Sequence, residues 1–226
     1  GSLSMGSGVA TGDANVVVGY NAGVLMTSGA QNVFLGANAG DAITTGSFNV
    51  LVGERSGSSQ TTANYNTALG QNSLFTNVAG ANCVAIGSGA LATMTSASAL
   101  NMFNTAVGAS AGTSVTTGVQ NTLIGGLAGD AITVADHNVA VGYGALTSNV
   151  FGDYSVAIGS GALDEQNPAD GSHSVYNVAI GFNAGADITS GYGHTIIGGQ
   201  AGDAITTSVD NTVMGKEALS AETTGS

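Results

Sequence analysis

The sequence predicts an all-β chain folded as a parallel β-solenoid of twelve coils. Three observations predict it: a 17-residue period, columns of nearly constant residue type within that period, and a composition of small, β-branched and glycine residues with very few charges. Composition comes first, because it excludes the alternatives. Of 226 residues, 37 are glycine, one is proline and none is tryptophan, and only 7% are charged, where an ordinary soluble domain has about a quarter. Asn, Ser, Thr, Gly and Ala must therefore cover the surface. A formal charge of −12, with Arg55 and Lys216 the only basic residues, repels a phosphate backbone, so nucleic acid is not an expected partner. Cys83 stands alone and excludes an intrachain disulfide. No run of about 18 apolar residues suggests direct membrane insertion. Residues 1–11 read as a leader or tag remnant, and 12–226 as a single repeat domain.

The period emerges when the chain is aligned on an Asn, three mostly apolar residues and a Gly. Segments begin at Asn15, Asn32, Asn49, Asn66, Cys83, Asn104, Asn121, Asn138, Ser155, Asn177, His194 and Asn211, so nine of twelve start on Asn. Nine of the eleven steps are 17 residues; the exceptions are 104 − 83 = 21 and 177 − 155 = 22. A unit this short cannot bury its own apolar face, and stacking as coils solves that. At a strand spacing of ~4.8 Å, twelve coils would extend roughly 55 Å.

The columns refine the prediction. With the Asn slot counted as zero, slot one is always Val or Thr, slot three is Val, Leu, Ile or Met, slot four is Gly, and slot seven is Ala or Ser. Slot four calls for a left-handed or crowded turn, and slot seven for a tight corner. The Asn column suits a ladder in which each buried amide bonds to backbone and to the next coil. Slots eight and eleven compensate. Gly at eight goes with a large apolar residue at eleven (Gly40 with Ile43, Gly129 with Ile132), and Leu at eight with a polar one (Leu74 with Asn77, Leu146 with Asn149). One bulky group per coil then fills the lumen. Gly57 with Gln60 and Leu91 with Met94 depart from the rule. These coil types run Gly, Gly, Leu, Leu from Asn32 and again from Asn104, each set closed by a long loop. This gives super-repeats of 104 − 32 = 72 and 177 − 104 = 73 residues. The phrase AGDAIT, at Ala39, Ala128 and Ala201, is a coil corner within this scheme. The third super-repeat lacks its looped fourth coil at Ser226, so the array is expected to continue.

Strand alternation, anchored on slots one and three facing the lumen, turns slot two outward. It is apolar in every coil: Val17, Phe34, Leu51, Ala68, Ala85, Ala106, Leu123, Ala140, Ala157, Ala179, Ile196 and Val213. On this reading the ribbon is the interface of a side-by-side homotrimer. Leu51→Asp with Leu123→Asp should then break the assembly, and Ile124→Asp should unfold the coil.

SVAIGSGAL at Ser155 and VAIGSGALA at Val84 resemble the head repeats of trimeric autotransporter adhesins of the YadA type. NTLIGGLAG at Asn121 is similar to repeats of phage and marine viral tail-fibre proteins. The resemblance covers essentially every coil from Asn15 onward. It implies a left-handed parallel β-roll, three chains side by side, and attachment as the task. The chain departs from it in its longer coil, in Asn at most first slots, and in showing no neck, stalk or membrane anchor.

Candidate receptor contacts lie just before the Asn slot: Phe48, Tyr65, Phe103, His137, Tyr154 and Tyr176. Aromatic faces between amides suit sugar rings, while stacking at a coil corner is the structural reading of the same column. Long loops span 92–103 and 164–176. The second carries Asp164, Glu165, Asp170 and His173, of which His173 is a further candidate contact. Their spacing matches no metal motif, and no metal or cofactor is expected. The Thr column at slot twelve (Thr27, Thr44, Thr61, Thr133 and others) raises ice binding as a third function, beside ordinary β-propensity. No Ser, His and acid set stands apart from the repeats, so catalytic residues are not expected. The functional expectation is an extracellular, non-enzymatic fragment of a viral tail fibre or bacterial surface adhesin, a homotrimer meeting a cell-surface glycan or protein receptor. A polysaccharide-degrading fibre is the alternative.

Overall fold

In the computed structural model, which describes residues 12–96, 100–168 and 174–221, the chain is all-β and a parallel β-solenoid. Twelve three-residue strands follow the period: β1 (Val16–Val18), β2 (Val33–Leu35), β3 (Val50–Val52), β4 (Thr67–Leu69), β5 (Val84–Ile86), β6 (Thr105–Val107), β7 (Thr122–Ile124), β8 (Val139–Val141), β9 (Val156–Ile158), β10 (Val178–Ile180), β11 (Thr195–Ile197) and β12 (Thr212–Met214). Two compact units divide at Thr117 and Gly118. The first stacks β1 to β6 and the second β7 to β12, each strand parallel to the next in chain order. Register is strict by slot: Phe34 pairs with Leu51, Ala68 with Ala85, and Leu123 with Ala140.

The Asn column forms the expected ladder, and each amide is used twice. Asn49 Nδ2 donates across its own coil to the Ala63 carbonyl (2.8 Å) and to Asn32 Oδ1 in the preceding coil (3.1 Å), while its Oδ1 accepts the Asn66 backbone N–H (3.0 Å). In the second unit, Asn138 donates to the Gly152 carbonyl and accepts from the Ser155 N–H. These side chains are fully buried.

An inward slot zero has a consequence for every strand. Alternation then puts slots one and three outside and slot two inside. The residues expected to form an outward trimer ribbon, Val17, Phe34, Leu51, Ala68, Ala85, Ala106, Leu123, Ala140, Ala157, Ala179, Ile196 and Val213, instead line the lumen. All are buried except Val17, in the first coil, which is half-buried. The sequence reading had the phase reversed, because it set the alternation by the β-branched residues and not by the polar one. Leu123 is 0% exposed and Ile124 39%.

The other columns behave as the sequence requires. Slot four takes φ between 120° and 143° in every coil, and a Cβ added to Gly70 would stand 2.5 Å from the Gly87 carbonyl oxygen of the next coil. Only glycine fits there. The slot-seven Ala and Ser side chains are buried, apart from half-buried Ala218 in the last coil. Slot eight is left-handed even where it is Leu, as at Leu74 (φ 48°) and Leu146 (φ 55°). That conformation costs about 1–2 kcal/mol, and full burial of the side chain returns about 1.5–3 kcal/mol, so Leu is tolerated. Its slot-eleven partner Asn77 turns its amide onto Gly80, donating to the carbonyl (2.8 Å) and accepting the N–H (2.9 Å); Asn149 and Gly152 repeat the arrangement. Both long loops leave from coils whose first slot is not Asn (Cys83 and Ser155), and they rejoin the stack through parallel bridges Ala81 to Asn101 and Asp153 to Ser174.

Gln60, where the slot-eight and slot-eleven rule failed, is fully buried and both its amide atoms lack a partner. Equivalent positions behind Gly at slot eight hold Ile43, Ile132, Ile188 and Ile205, all buried. Gln60→Ile should raise stability by about 1–3 kcal/mol, the penalty for an unsatisfied buried amide, read as a higher midpoint in chemical denaturation. The reversed phase makes a second prediction. Leu123→Asp should abolish the β circular-dichroism signal at ambient temperature, since an unpaired buried carboxylate costs several kcal/mol, whereas Ile124→Asp should leave that signal intact.

Candidate functional site

The residue before each Asn sits at a corner with φ between 51° and 60° in the aromatic members, which projects the side chain away from the coil. Phe48, Tyr65, Phe103, His137, Tyr154 and Tyr176 are all exposed. Because equivalent corners lie one above the next, the rings stack. Phe48 and Tyr65 lie 4.8 Å apart with planes within 8°, His137 and Tyr154 5.0 Å apart within 8°, and Tyr154 and Tyr176 5.1 Å apart within 13°. Each pair adds about 0.5–1.5 kcal/mol beyond area burial, which offsets the cost of a left-handed aromatic residue. The structure therefore brings five of the seven candidates into two ladders. Phe103 has no ring partner among the described residues, and His173 lies outside them. Within each ladder the inner ring faces are covered by neighbouring rings, and only the end rings keep one face clear of another ring.

Members of the threonine column, and one of the recurring aspartates, have structural duties. Thr27, Thr44, Thr61, Thr133 and Thr189 each donate their hydroxyl to a backbone carbonyl one coil on, at 3.0 to 3.4 Å. Among the AGDAIT aspartates, Asp41 accepts a hydrogen bond from Ser58 (2.7 Å). Among the described residues no group of three or more His, Cys, Asp and Glu could hold a metal ion, and no helix is long and apolar enough to cross a membrane. Asp170 of the second loop lies outside the described residues, as His173 does.

Two buried titratable groups sit in the ladder itself. Burial pushes the Cys83 thiol up to about 12, against a smaller opposing pull from the Asn104 backbone; its Sγ faces Met94 Sδ at 3.8 Å. A thiol so held is not a nucleophile. His194 replaces the ladder Asn in the penultimate coil. Its N–H donates to Asn177 Oδ1 and its Nδ1 accepts from the Asn211 N–H. Burial pulls its pKa below the ordinary imidazole range, outweighing the raising effects of the Ser208 backbone and of Asp210.

What the sequence reading missed is the outer sheet face. Slots one and three make two uncharged columns along each stack, with Val18, Leu35, Leu69, Ile124, Ile158 and Ile180 among their more exposed members. The signal was present in the sequence as a Val or Thr column and an apolar column; only their direction was misassigned. Compared with known proteins, the chain matches no family model, and no curated protein or solved structure is significantly similar to it.

His194 yields a pH prediction. Because the folded pKa is depressed, the unfolded chain binds more protons as pH falls through the imidazole range. Stability from neutral His194 is thus complete above about pH 6.5 and lost below it. The melting temperature should fall between pH 7.5 and pH 5.5 in the parent chain and change less in His194→Asn, which restores the ladder amide. Thermal melts at the two pH values check this.

Proposed function

We propose that this chain is a segment of a homotrimeric extracellular attachment fibre, a viral tail fibre or a bacterial surface adhesin, that presents a receptor-contacting surface without turning its receptor over. The observation that carries the reading is the outer sheet face, an apolar column at slot three beside a Val or Thr column at slot one, free of charge along each stack. Such a face invites aggregation unless something covers it. Its chemistry repeats at the coil period, and a covering surface with the same period and chemistry is another copy of the chain. Closed three-fold symmetry covers every copy's face at once, where an open arrangement leaves one bare at each end.

The receptor side rests on what remains outside: aromatic corners, amides and hydroxyls on a strongly acidic chain, a surface suited to uncharged polar partners such as glycans. The SVAIG and NTLIG coils, resembling those of attachment proteins, agree with this assignment.

Light scattering tests the assembly. The intact chain should have three times its protomer mass of 21.8 kDa. Leu69→Asp with Ile158→Asp should be monomeric with an unchanged β signal, because both side chains are substantially exposed in the isolated protomer. A monomeric parent chain would refute the trimer. A glycan array, run beside a turnover assay on the same polysaccharides, tests the function: retention without cleavage is the expected result, and cleavage would make it a depolymerase.

A further inference from the structure

Slot six is a corner on the far side of the Gly turn, left-handed in every coil, and it carries a side chain in nine of the twelve: Asn, Arg, Ser, Leu, Gln or Glu. Only once do two successive coils place glycine there, at Gly144 and Gly161. Two missing side chains in adjacent coils open a groove of about 260 Å³, lined by Leu127, Tyr143, Gly144, Thr147, Ser160, Gly161 and Asp164. All of these belong to the second unit.

We propose that this groove is a binding subsite for a single neutral pyranose unit of a glycan, with Tyr143 as the stacking platform and Asp164 and Ser160 as the hydroxyl-binding groups. The inference rests on the glycan-attachment reading above and gives it a location. Tyr143 is 64% exposed and has no ring packed on it among the described residues, unlike the laddered aromatics, so a ring face is free for the C–H face of a sugar. The side chains of Asp164 and Ser160 make no hydrogen bond among the described residues, so two acceptors and a hydroxyl stand ready beside it. Thr147 Oγ1 is already committed as a donor to the Gly144 carbonyl at 2.6 Å and retains lone pairs to accept. The volume lies just below the usual range of about 300–1,000 Å³ for ligand clefts and suits one ring better than an oligosaccharide. Neutrality follows from charge. Asp130 lies close enough to Asp164 for the two to repel, and burial together with that repulsion holds its carboxyl above the usual carboxylate range. A uronic or sialic acid would meet the Asp164 carboxylate that lines the groove.

Saturation-transfer NMR on the purified full chain, with the methyl glycosides of glucose, galactose, mannose and N-acetylglucosamine as probes and methyl sialoside as the anionic comparison, tests the proposal. Transfer to ring C–H protons of at least one neutral probe is expected. Tyr143→Phe should retain it, Tyr143→Ala should weaken binding at least tenfold, and Gly144→Asn should abolish it. Asn is the residue four other coils use at slot six, so Gly144→Asn fills the groove with a residue the corner accepts; its Cβ comes 3.1 Å from Thr147 Oγ1, which must shift slightly, and an unchanged β circular-dichroism signal is the control. Equal binding by the parent, Tyr143→Ala and Gly144→Asn, preference for the sialoside, or no transfer to any neutral probe would each overturn the subsite. The glycan array separates this from the wider reading: retention by both variants at parental strength leaves glycan attachment standing with its site elsewhere, and an array blank for the parent chain removes both.

Discussion

The hydrogen-bonded amide of the first slot is the constraint on which the rest of the structure depends. An Asn side chain has one acceptor and two donors, and burial demands that all be used. An inward amide meets the demand here as follows: a donor goes to the carbonyl 14 residues on, three before the next coil's first slot, and the oxygen receives the backbone N–H of the next coil's first slot. Asn32, Asn49 and Asn66 do so in succession. The same bonds tie each coil across itself and to its neighbour, so they set both cross-section and register. The strand that follows has no freedom left in its phase.

Around that amide the lumen is filled by few atoms with little tolerance. Slot two contributes a residue from Ala to Phe, slot seven only Ala or Ser, and slots eight and eleven share one bulky group between them. Phe34 is accommodated because glycine faces it from both sides: a Cβ on Gly23 or Gly40 would approach its ring within 3.1 Å and 3.0 Å. Where the ladder changes residue, the packing changes with it. Cys83 is smaller and less polar than Asn, and Met94 supplies the missing volume, its sulfur 3.8 Å from both Cys83 Sγ and Asn104 Nδ2. Ser155 keeps the polar character, and Gln166 reaches from slot eleven to bridge it to Asn177. The two looped coils thus close the same gap by opposite chemistry.

The surface follows from what the lumen rejects. Slots one and three, turned out, are β-branched or apolar because a three-residue strand with parallel neighbours favours such side chains, and they leave each stack with a face that water covers poorly. Corners before the Asn slot carry aromatics, five of which find partners in the adjacent coils, and corners at slot six carry polar side chains except at Leu127 and at Gly89, Gly144 and Gly161. The apolar sheet face and the polar and aromatic corners therefore fall on different sides of one coil. A repeat of 17 residues can vary its corners without disturbing its ladder.

By itself the sequence determined the coil, its period, the super-repeat, the glycine turn, the small corner and the exchange between slots eight and eleven. Each of these is a recurring restriction on residue type, in every coil for the glycine turn and the small corner and in most coils for the exchange, and recurrence is visible without coordinates. It also placed the aromatic column that stacks at Phe48, Tyr65, His137, Tyr154 and Tyr176. It left the direction of the strand undecided, because Val-Leu-Val and Thr-Leu-Ile carry no charge and are β-branched or apolar at all three slots, and alternation alone cannot say which side is inside. The tertiary structure decided that through the buried Asn ladder, whose hydrogen bonds run between residues 14 and 17 apart. The groove at Tyr143 was decided there too, since Gly144 and Gly161 are unremarkable in the chain and leave space only when their coils lie side by side.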